Sequence, residues 1–442
     1  MELKRLNNIV AIKHPEMGLV GFHSANLEVA ELDQNVWNFL ESASKETPLS
    51  SNNISDAERQ SFLALNDWNQ EQNAALKSGF IKNKIQNITL NVTQICNLHC
   101  SYCAAGGDGT YGDPVRKISI EKTLPQIKFL MDRLSENESF AITFLGGEPL
   151  LYPTAIEIIA DYMTDLAEPK KVALRFNIVT NGTLVTDEVI RILKKFKMDI
   201  TVSIDGNKEI NDVLRPTKNK TSSTDLAVAG IKKLSAARGE IGGLTLSGVF
   251  GKQNLDLMSA YHFYNQFDVD FFDFTYDHQE ISPEINAEFV ARFSEVMSQA
   301  YADGREKQIT KIKYVKSYFD LLDNQQKVEN FCGAGKNYVS IDAKNNMYVC
   351  PWLAGESKEV VGHGDRIWSE KLEEYSQALT EKHGCQDCWA KNLCGGGCMF
   401  MHRNKNKDKH LVDENFCVRM KSLLAVIILF YKSSRLPALK EA

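Results

Sequence analysis

ITLNVTQICNLHCSYC, residues 88–103, is the stretch on which the reading of this chain turns. Its first half, Ile88 to Thr93, alternates and is rich in β-branched residues, so it reads as a strand. Cys96, Cys100 and Cys103 then lie on the loop leaving the strand's C-terminal end, at x3 and x2 spacing. Three thiolates from one short loop leave a coordination position open. Structural zinc sites recruit four ligands and close the shell. Three soft ligands with a vacancy suit an iron–sulfur cluster whose remaining iron can bind something else. A three-cysteine zinc loop, or buried free thiols, is the other reading of the same residues.

Outward from this loop, residues 86 to about 310 alternate strand and helix. Strands are expected at 88–93, 141–145, 174–180, 200–205, 244–250 and 271–275, with helices at 119–135, 154–166, 186–197, 224–237 and 255–267. That order argues a parallel sheet. Near-continuous apolar strands such as FNIVT (176–180) fit burial on both faces. The count supports six βα units, too few for an eight-unit barrel. In such a sheet, function gathers at the C-terminal strand ends, where the polar motifs fall. Gly146-Gly147-Glu148-Pro149 follows the second strand, offering close backbone approach to a ligand and a carboxylate suited to a cationic amine. Thr180-Asn181-Gly182 ends the third strand. Ser203 and Asp205 share a face of the fourth, where they could hydrogen-bond a ribose. Arg215 suits a carboxylate or a surface ion pair with Asp212, and Asn254 suits a helix N-cap.

The three-cysteine loop, with Tyr102 just before its last cysteine, resembles the signature loop of the radical S-adenosylmethionine (SAM) enzymes. Residues 146–149 resemble that family's GGEP motif and 180–182 its TNG turn. The run from Ser203 and Asp205 to Arg215 resembles the SxDG…HDxxR stretch of its peptide-modifying members, with Asn211 in place of His, and Asn254 matches another recurrent position. The resemblance implies an α/β fold built as a partial (β/α)6 radical SAM barrel, with a [4Fe–4S] cluster on Cys96, Cys100 and Cys103. SAM would be contacted by Tyr102, Gly146, Gly147, Glu148, Asn181, Ser203, Asp205 and Arg215. No residue is singled out as a catalytic acid or base.

The remaining seven cysteines all lie between residues 332 and 417. Cys385-x2-Cys388-x5-Cys394-x3-Cys398 resembles the SPASM domain of peptide- and protein-modifying radical SAM enzymes, which carries two auxiliary [4Fe–4S] clusters. A two-zinc domain, recruiting His363 or His383, is the alternative. Carried over from the family, Cys332, Cys350 and Cys398 would hold auxiliary cluster I and Cys385, Cys388, Cys394 and Cys417 auxiliary cluster II. Three clusters are implied, with no thiol left for the fourth iron of cluster I. Asn345 stands where the family pattern has Gly, and Asn tolerates a left-handed turn.

Residues 1–80 stand apart. Short apolar runs at 8–14 and 19–23 suggest a hairpin, followed by helical patterns around 36–40 and 56–64 and an apolar segment at 76–81. The pattern resembles the winged-helix RiPP recognition element, in which a leader peptide adds to a sheet edge. Expected domains are thus a peptide-binding unit at 1–82, the radical SAM core at 83–315 and the SPASM domain at 316–442.

A net charge of -6, 43% hydrophobic and 24% charged residues describe a soluble globular chain with no bulk attraction to nucleic acid or anionic lipid. The apolar run from Leu423 to Tyr431 is too short to span a membrane and reads as a buried helix. The N-terminus has no signal-peptide pattern, so a cytoplasmic protein whose cysteines bind metal is expected. The combined resemblance implies an oxidoreductase that cross-links side chains of a ribosomally made precursor peptide through a 5′-deoxyadenosyl radical. Its partners would be that peptide, bound through its leader, and an electron donor such as flavodoxin or ferredoxin. An anaerobic sulfatase-maturating (formylglycine-forming) enzyme is the rival within the class. In that group an Asp acting as base follows the cysteine corresponding to Cys350, and here Pro351 stands there. A non-catalytic zinc-binding interaction protein is the alternative from another class.

Overall fold

The computed structural model describes residues 1–15, 17–43, 56–70, 77–78, 84–103, 117–375 and 377–435. Six parallel strands, Asn87–Thr93, Ser139–Gly146, Ala173–Thr180, Asp199–Ser203, Leu244–Phe250 and Phe271–Tyr276, lie side by side in chain order. Their alternation sets the layers. In Ser139–Gly146, Phe140, Ile142 and Phe144 are fully buried, while Ala141, Thr143 and Leu145 on the opposite face are half-buried. Helices Ile120–Met131, Pro153–Ala167, Asp187–Lys195, Ser223–Ala236 and Leu257–Tyr264 connect the strands. Three begin at side-chain caps, where Thr186, Ser222 and Asp256 accept from the backbone N–H three residues on.

The six strands do not close on themselves. Beyond the first lies Tyr338–Ile341, parallel to it, with Val339 beside Ile88 and Ile341 beside Leu90. Antiparallel strands Asn346–Tyr348, Val360–His363 and Arg366–Ile367 complete a ten-stranded sheet. The cysteine-rich end is therefore an extension of the barrel sheet.

At the N-terminus the expected hairpin, Ile9–His14 with Gly18–His23, is the centre of a four-stranded antiparallel meander flanked by Glu2–Leu6 and Glu28–Glu31. Helices Gln34–Ala43 and Asp56–Gln70 accompany it. Its central strand is buried on both faces. Ile9 and Ala11 pack with Val36, Trp37, Leu40 and Leu65, whereas Val10 and Ile12, with Phe22, join the main core. That core includes the C-terminal helix Glu414–Arg435, buried from Leu423 to Phe430 as its apolar run implies. Of the segment at 76–81, Lys77–Ser78 is described, pairing in parallel with Gln326–Lys327. Among the described residues no helix is long and apolar enough to cross a membrane.

Candidate active site

The cysteine loop is clamped on two sides. On one, the Gly147 N–H donates to Thr93 O (2.8 Å) and the Glu148 N–H to Ile95 O (3.0 Å). A Cβ on Gly146, where φ is +135°, would stand 2.1 Å from Thr93 O, and one on Gly147 would stand 2.2 Å from Ile95 O. The glycine pair thus lets this turn press against the cysteine loop, a packing need that stands beside the ligand approach expected of it. On the other side, the His99 N–H donates to Pro216 O (2.8 Å) and the Ser101 N–H to Leu214 O (2.9 Å).

The segment at 214–217 is in turn held by a buried ion pair. Asp205 and Arg215 meet through two parallel hydrogen bonds of 3.0 and 3.1 Å. Asp205 also accepts from the Tyr102 hydroxyl (2.6 Å) and the Val249 N–H (3.0 Å), giving each carboxylate oxygen two donors. Arg215 accordingly pairs with Asp205, while Asp212 accepts from the Thr224 N–H (2.8 Å) and hydroxyl (2.7 Å). Asn211 accepts the Asp205 N–H (2.9 Å) and donates to Thr224 (3.0 Å). Asn254 donates to Asp205 O (3.3 Å), and the cap of the following helix is Asp256. Because the fourth strand ends at Ser203, Asp205 lies past it, on the turn. The structure places Asp205, Arg215 and Tyr102 in a brace for the cysteine loop, with half-buried Ser203 at the strand end.

Glu148 stands at the centre of the strand ends, fully buried. It accepts from the Thr180 hydroxyl (2.7 Å), the Leu150 N–H (3.0 Å) and the Asn181 N–H (2.7 Å). Burial still pushes its carboxyl up to about 7. The Asn181 amide bridges to Asn97 Oδ1 (2.8 Å) and lies 3.8 Å from Cys96 Sγ, linking the Glu148 turn to the first thiol. A cationic amine would offset the penalty on this carboxylate, so the residues fit the amino-acid end of SAM.

The ten cysteines fall into three neighbourhoods, legible in which thiols act on which. Burial is the first cause at Cys96, Cys100, Cys350, Cys385, Cys394, Cys398 and Cys417. It pushes Cys96 up to about 11 and Cys100 up to about 12; Cys103 adds to both, and Arg215 pulls Cys100 back. Cys350 is raised by burial and then by Cys398 and Cys332. Cys394 is raised by burial and then by Cys417, Cys388 and Cys385. With pKa values raised in this way the free groups are neutral thiols, and a bound metal would be what holds them as thiolates. Among the described residues no three His, Cys, Asp or Glu converge as ligands of a single ion would. Asn345 does adopt the left-handed turn, at φ +68°. Its amide donates to Thr123 and Gln126 (both 2.9 Å), tying the cysteine-rich end to the first barrel helix.

Residues 90–264 match the model of the radical SAM superfamily. This span is a radical SAM domain. An uncharacterized protein of Methanocaldococcus jannaschii is 34% identical over 32% of this chain and 45% of its own length, so the chain spans less than half of that relative. The cysteine-type anaerobic sulfatase-maturating enzyme of Clostridium novyi is 24% identical over 74% of this chain and 91% of its own. Mycofactocin maturase MftC of Mycobacterium tuberculosis is 26% identical over 71% and 78%. Among solved structures, anSMEcpe with bound AdoMet aligns over 79% of this chain and 100% of its own, with a TM-score of 0.65 at 17% identity. Streptococcus suis SuiB bound to precursor peptide SuiA aligns over 94% and 100%, with a TM-score of 0.53 at 15% identity. At these identities the likeness is one of fold.

Past the radical SAM domain's last motif, a loop that the sequence did not single out joins it to the cysteine-rich end. Gln279 donates to Tyr102 O (2.9 Å), and Asn404 donates to Gln279 O (3.1 Å). His278 stacks on Trp352, and Trp352 on Phe400, both at 5.3 Å between ring centroids. One sequence signal exists: Trp352 and Phe400 each stand two residues after a cysteine of the same group, Cys350 and Cys398.

Proposed function

We propose that this chain is a radical SAM maturase that forms intramolecular cross-links between side chains of a ribosomally made precursor peptide. The observation that carries the reading is the sorting of ten cysteines into groups of three, three and four, the first beside buried Glu148 at the strand ends. Cys96, Cys100 and Cys103 would hold the SAM cluster, Cys332, Cys350 and Cys398 auxiliary cluster I, and Cys385, Cys388, Cys394 and Cys417 auxiliary cluster II. SAM on the first cluster supplies abstraction of hydrogen from an unactivated carbon. The chain's own part is positional. Glu148 takes the ammonium, Ser203 is offered to the ribose, and the Asp205–Arg215–Tyr102 brace keeps the loop from shifting under the reacting atoms.

The N-terminal unit, 1–82, would bind the leader, which could add as a strand at the Glu2–Leu6 or Glu28–Glu31 edge. The core at 83–315 would carry the reaction, and 316–442 the auxiliary clusters. Two relatives support a peptide substrate: MftC is a maturase, and SuiB, solved with its precursor peptide, matches a share of this chain reaching beyond barrel and cysteine-rich end. The sulfatase-maturating relative keeps the rival reading in view, but Pro351 after Cys350 has no group that could take a proton.

The test is anaerobic purification and reduction, by dithionite or by flavodoxin, in the presence of SAM and a precursor peptide encoded beside the gene. Release of 5′-deoxyadenosine and a peptide lighter by two hydrogens are expected. Colourless, zinc-filled protein that releases no deoxyadenosine would overturn the proposal, and formylglycine in a sulfatase peptide would decide for the rival.

A further inference from the structure

A cavity of about 220 Å³ lies between the sixth barrel strand, Phe271–Tyr276, and the C-terminal helix. Pockets for whole small molecules begin at roughly 300 Å³, so this one suits a single side chain or chain end of a larger ligand. Phe274, Phe289, Phe293 and Phe416 form its walls. Asp273 and Thr275 border it from the barrel strand and Cys398 from the cysteine-rich end, so it joins the two halves of the molecule.

Into these apolar walls the chain sets Arg419, only 5% exposed. A buried guanidinium is costly unless an anion accompanies it. Among the described residues Arg419 has no ion-pair partner; its hydrogen bonds go to neutral groups, Asn286 Oδ1 and Met401 Sδ (3.3 Å). It lies over the face of Tyr276, 3.8 Å from the ring centroid, close enough to act on the phenol. The Tyr276 hydroxyl is buried, belongs to a residue lining the cavity, and has no hydrogen-bond partner among the described residues. Of the other titratable groups there, Cys398 is acted on by Arg419 without a hydrogen bond between them, and the rest supply no ion pair. Burial holds His278 neutral, its pKa down to about 4. Burial pushes Asp273 up to about 6, and the cation acting on it is Lys313. Asp413 acts on Arg419 without forming an ion pair, and its carboxylate accepts the Asn415 N–H (3.0 Å).

A fork of N–H donors and an unused hydroxyl in an aromatic socket match one chemistry, because guanidinium and carboxylate pair in parallel hydrogen bonds. We infer that this cavity is a substrate subsite for a carboxylate of the peptide, either its C-terminal carboxylate or an Asp or Glu side chain, held by Arg419 and Tyr276. The inference rests on the peptide-substrate reading and adds to it where the substrate is anchored.

The experiment is calorimetric titration of the cluster-loaded full-length protein, without SAM or reductant. Three probes are used: N-acetylphenylalanine, N-acetylphenylalaninamide and N-acetylglutamic acid α-amide. One of the two carboxylates is expected to bind at least tenfold tighter than the phenylalanine amide, the first marking a chain end and the second an acidic side chain. Arg419→Gln should erase the preference. Arg419→Lys, which keeps the charge without the fork, and Tyr276→Phe, which keeps the ring, should each weaken it several-fold at unchanged iron content. Equal binding of all three probes overturns the subsite. So does a preference that survives these substitutions while the reduction potentials of the clusters shift, which would make Arg419 a counter-charge to the cysteines. Deoxyadenosine release is measured separately on the same preparation. Release without a carboxylate preference removes the subsite alone, whereas a preference without release removes the reaction and leaves the subsite.

Discussion

A carboxyl group with no water around it is hard to keep ionised, and Glu148 is in that position at the centre of the strand ends. Its pKa of about 7 lies above the ordinary glutamate value. Between the two values the folded chain holds a proton that the unfolded chain has released, so the penalty this group places on the fold is absent in acid and complete above about pH 7. A cationic amine selects the ionised form. SAM affinity should therefore hold at pH 8 and be about tenfold weaker at pH 6, measured by equilibrium dialysis under anoxia. Glu148→Gln should flatten that profile and weaken binding more than tenfold; equal profiles in the two proteins would mean that Glu148 does not meet the ligand. Gly147 gives a second expectation. Its Cβ would fall 2.2 Å from Ile95 O, a backbone atom that cannot swing away. Gly147→Ala should thus displace the cysteine loop and, on the proposed count of three clusters, lower the iron content by about one third.

The cysteine loop and its brace behave as one element, since Asp205 bonds at once to Arg215, Tyr102 and Val249 across three segments of chain. Removing one partner of a buried, doubly bonded pair leaves the other charge stranded, at about 3–5 kcal/mol. Arg215→Ala should destabilise the core by that amount in denaturant titration, whereas Tyr102→Phe should cost only about 1 kcal/mol. Comparable losses would show that the ion pair is not what holds the loop. The brace also marks where the sequence stopped being legible. Strand and helix order followed from alternation and helical patterning, and the reading of the cysteine spacing followed from chemistry. Asp205 was assigned to a strand face because period-two reasoning ran the fourth strand two residues too far; it ends at Ser203. Glu2–Leu6 was missed because a charged, half-exposed edge strand carries little apolar signal. Tyr338–Ile341 is short and lies between cysteines, so nothing local says that it pairs with a strand some 250 residues earlier. Arg419 carries no sequence signal of its own, and only the fold shows that it is enclosed.

Over the whole molecule, the N-terminal sheet and the cysteine-rich end are packed as one body. Phe22 meets Trp389 edge-on at 6.0 Å between centroids, Asn392 donates to Ser24 O (2.8 Å), and Arg5 donates to Asp387 O. All three partners lie within the Cys385–Cys394 stretch. A change in the proposed leader-binding sheet therefore presses directly on the loop that carries three of the group of four cysteines. Phe22 is fully buried there, and truncating such a ring removes about 3–5 kcal/mol. Each 1.4 kcal/mol is a factor of ten in an opening equilibrium, so Phe22→Ala should speed amide exchange by more than about a hundredfold. The acceleration should appear together in peptides covering Ile9–His14 and Cys385–Cys394, with the radical SAM strands unchanged. Val213→Ser, at an exposed helix position, serves as a control and should move neither. Faster exchange in the N-terminal sheet alone would mean that the cysteine loop stands without it, and leader binding would then have no mechanical route to the auxiliary cysteines.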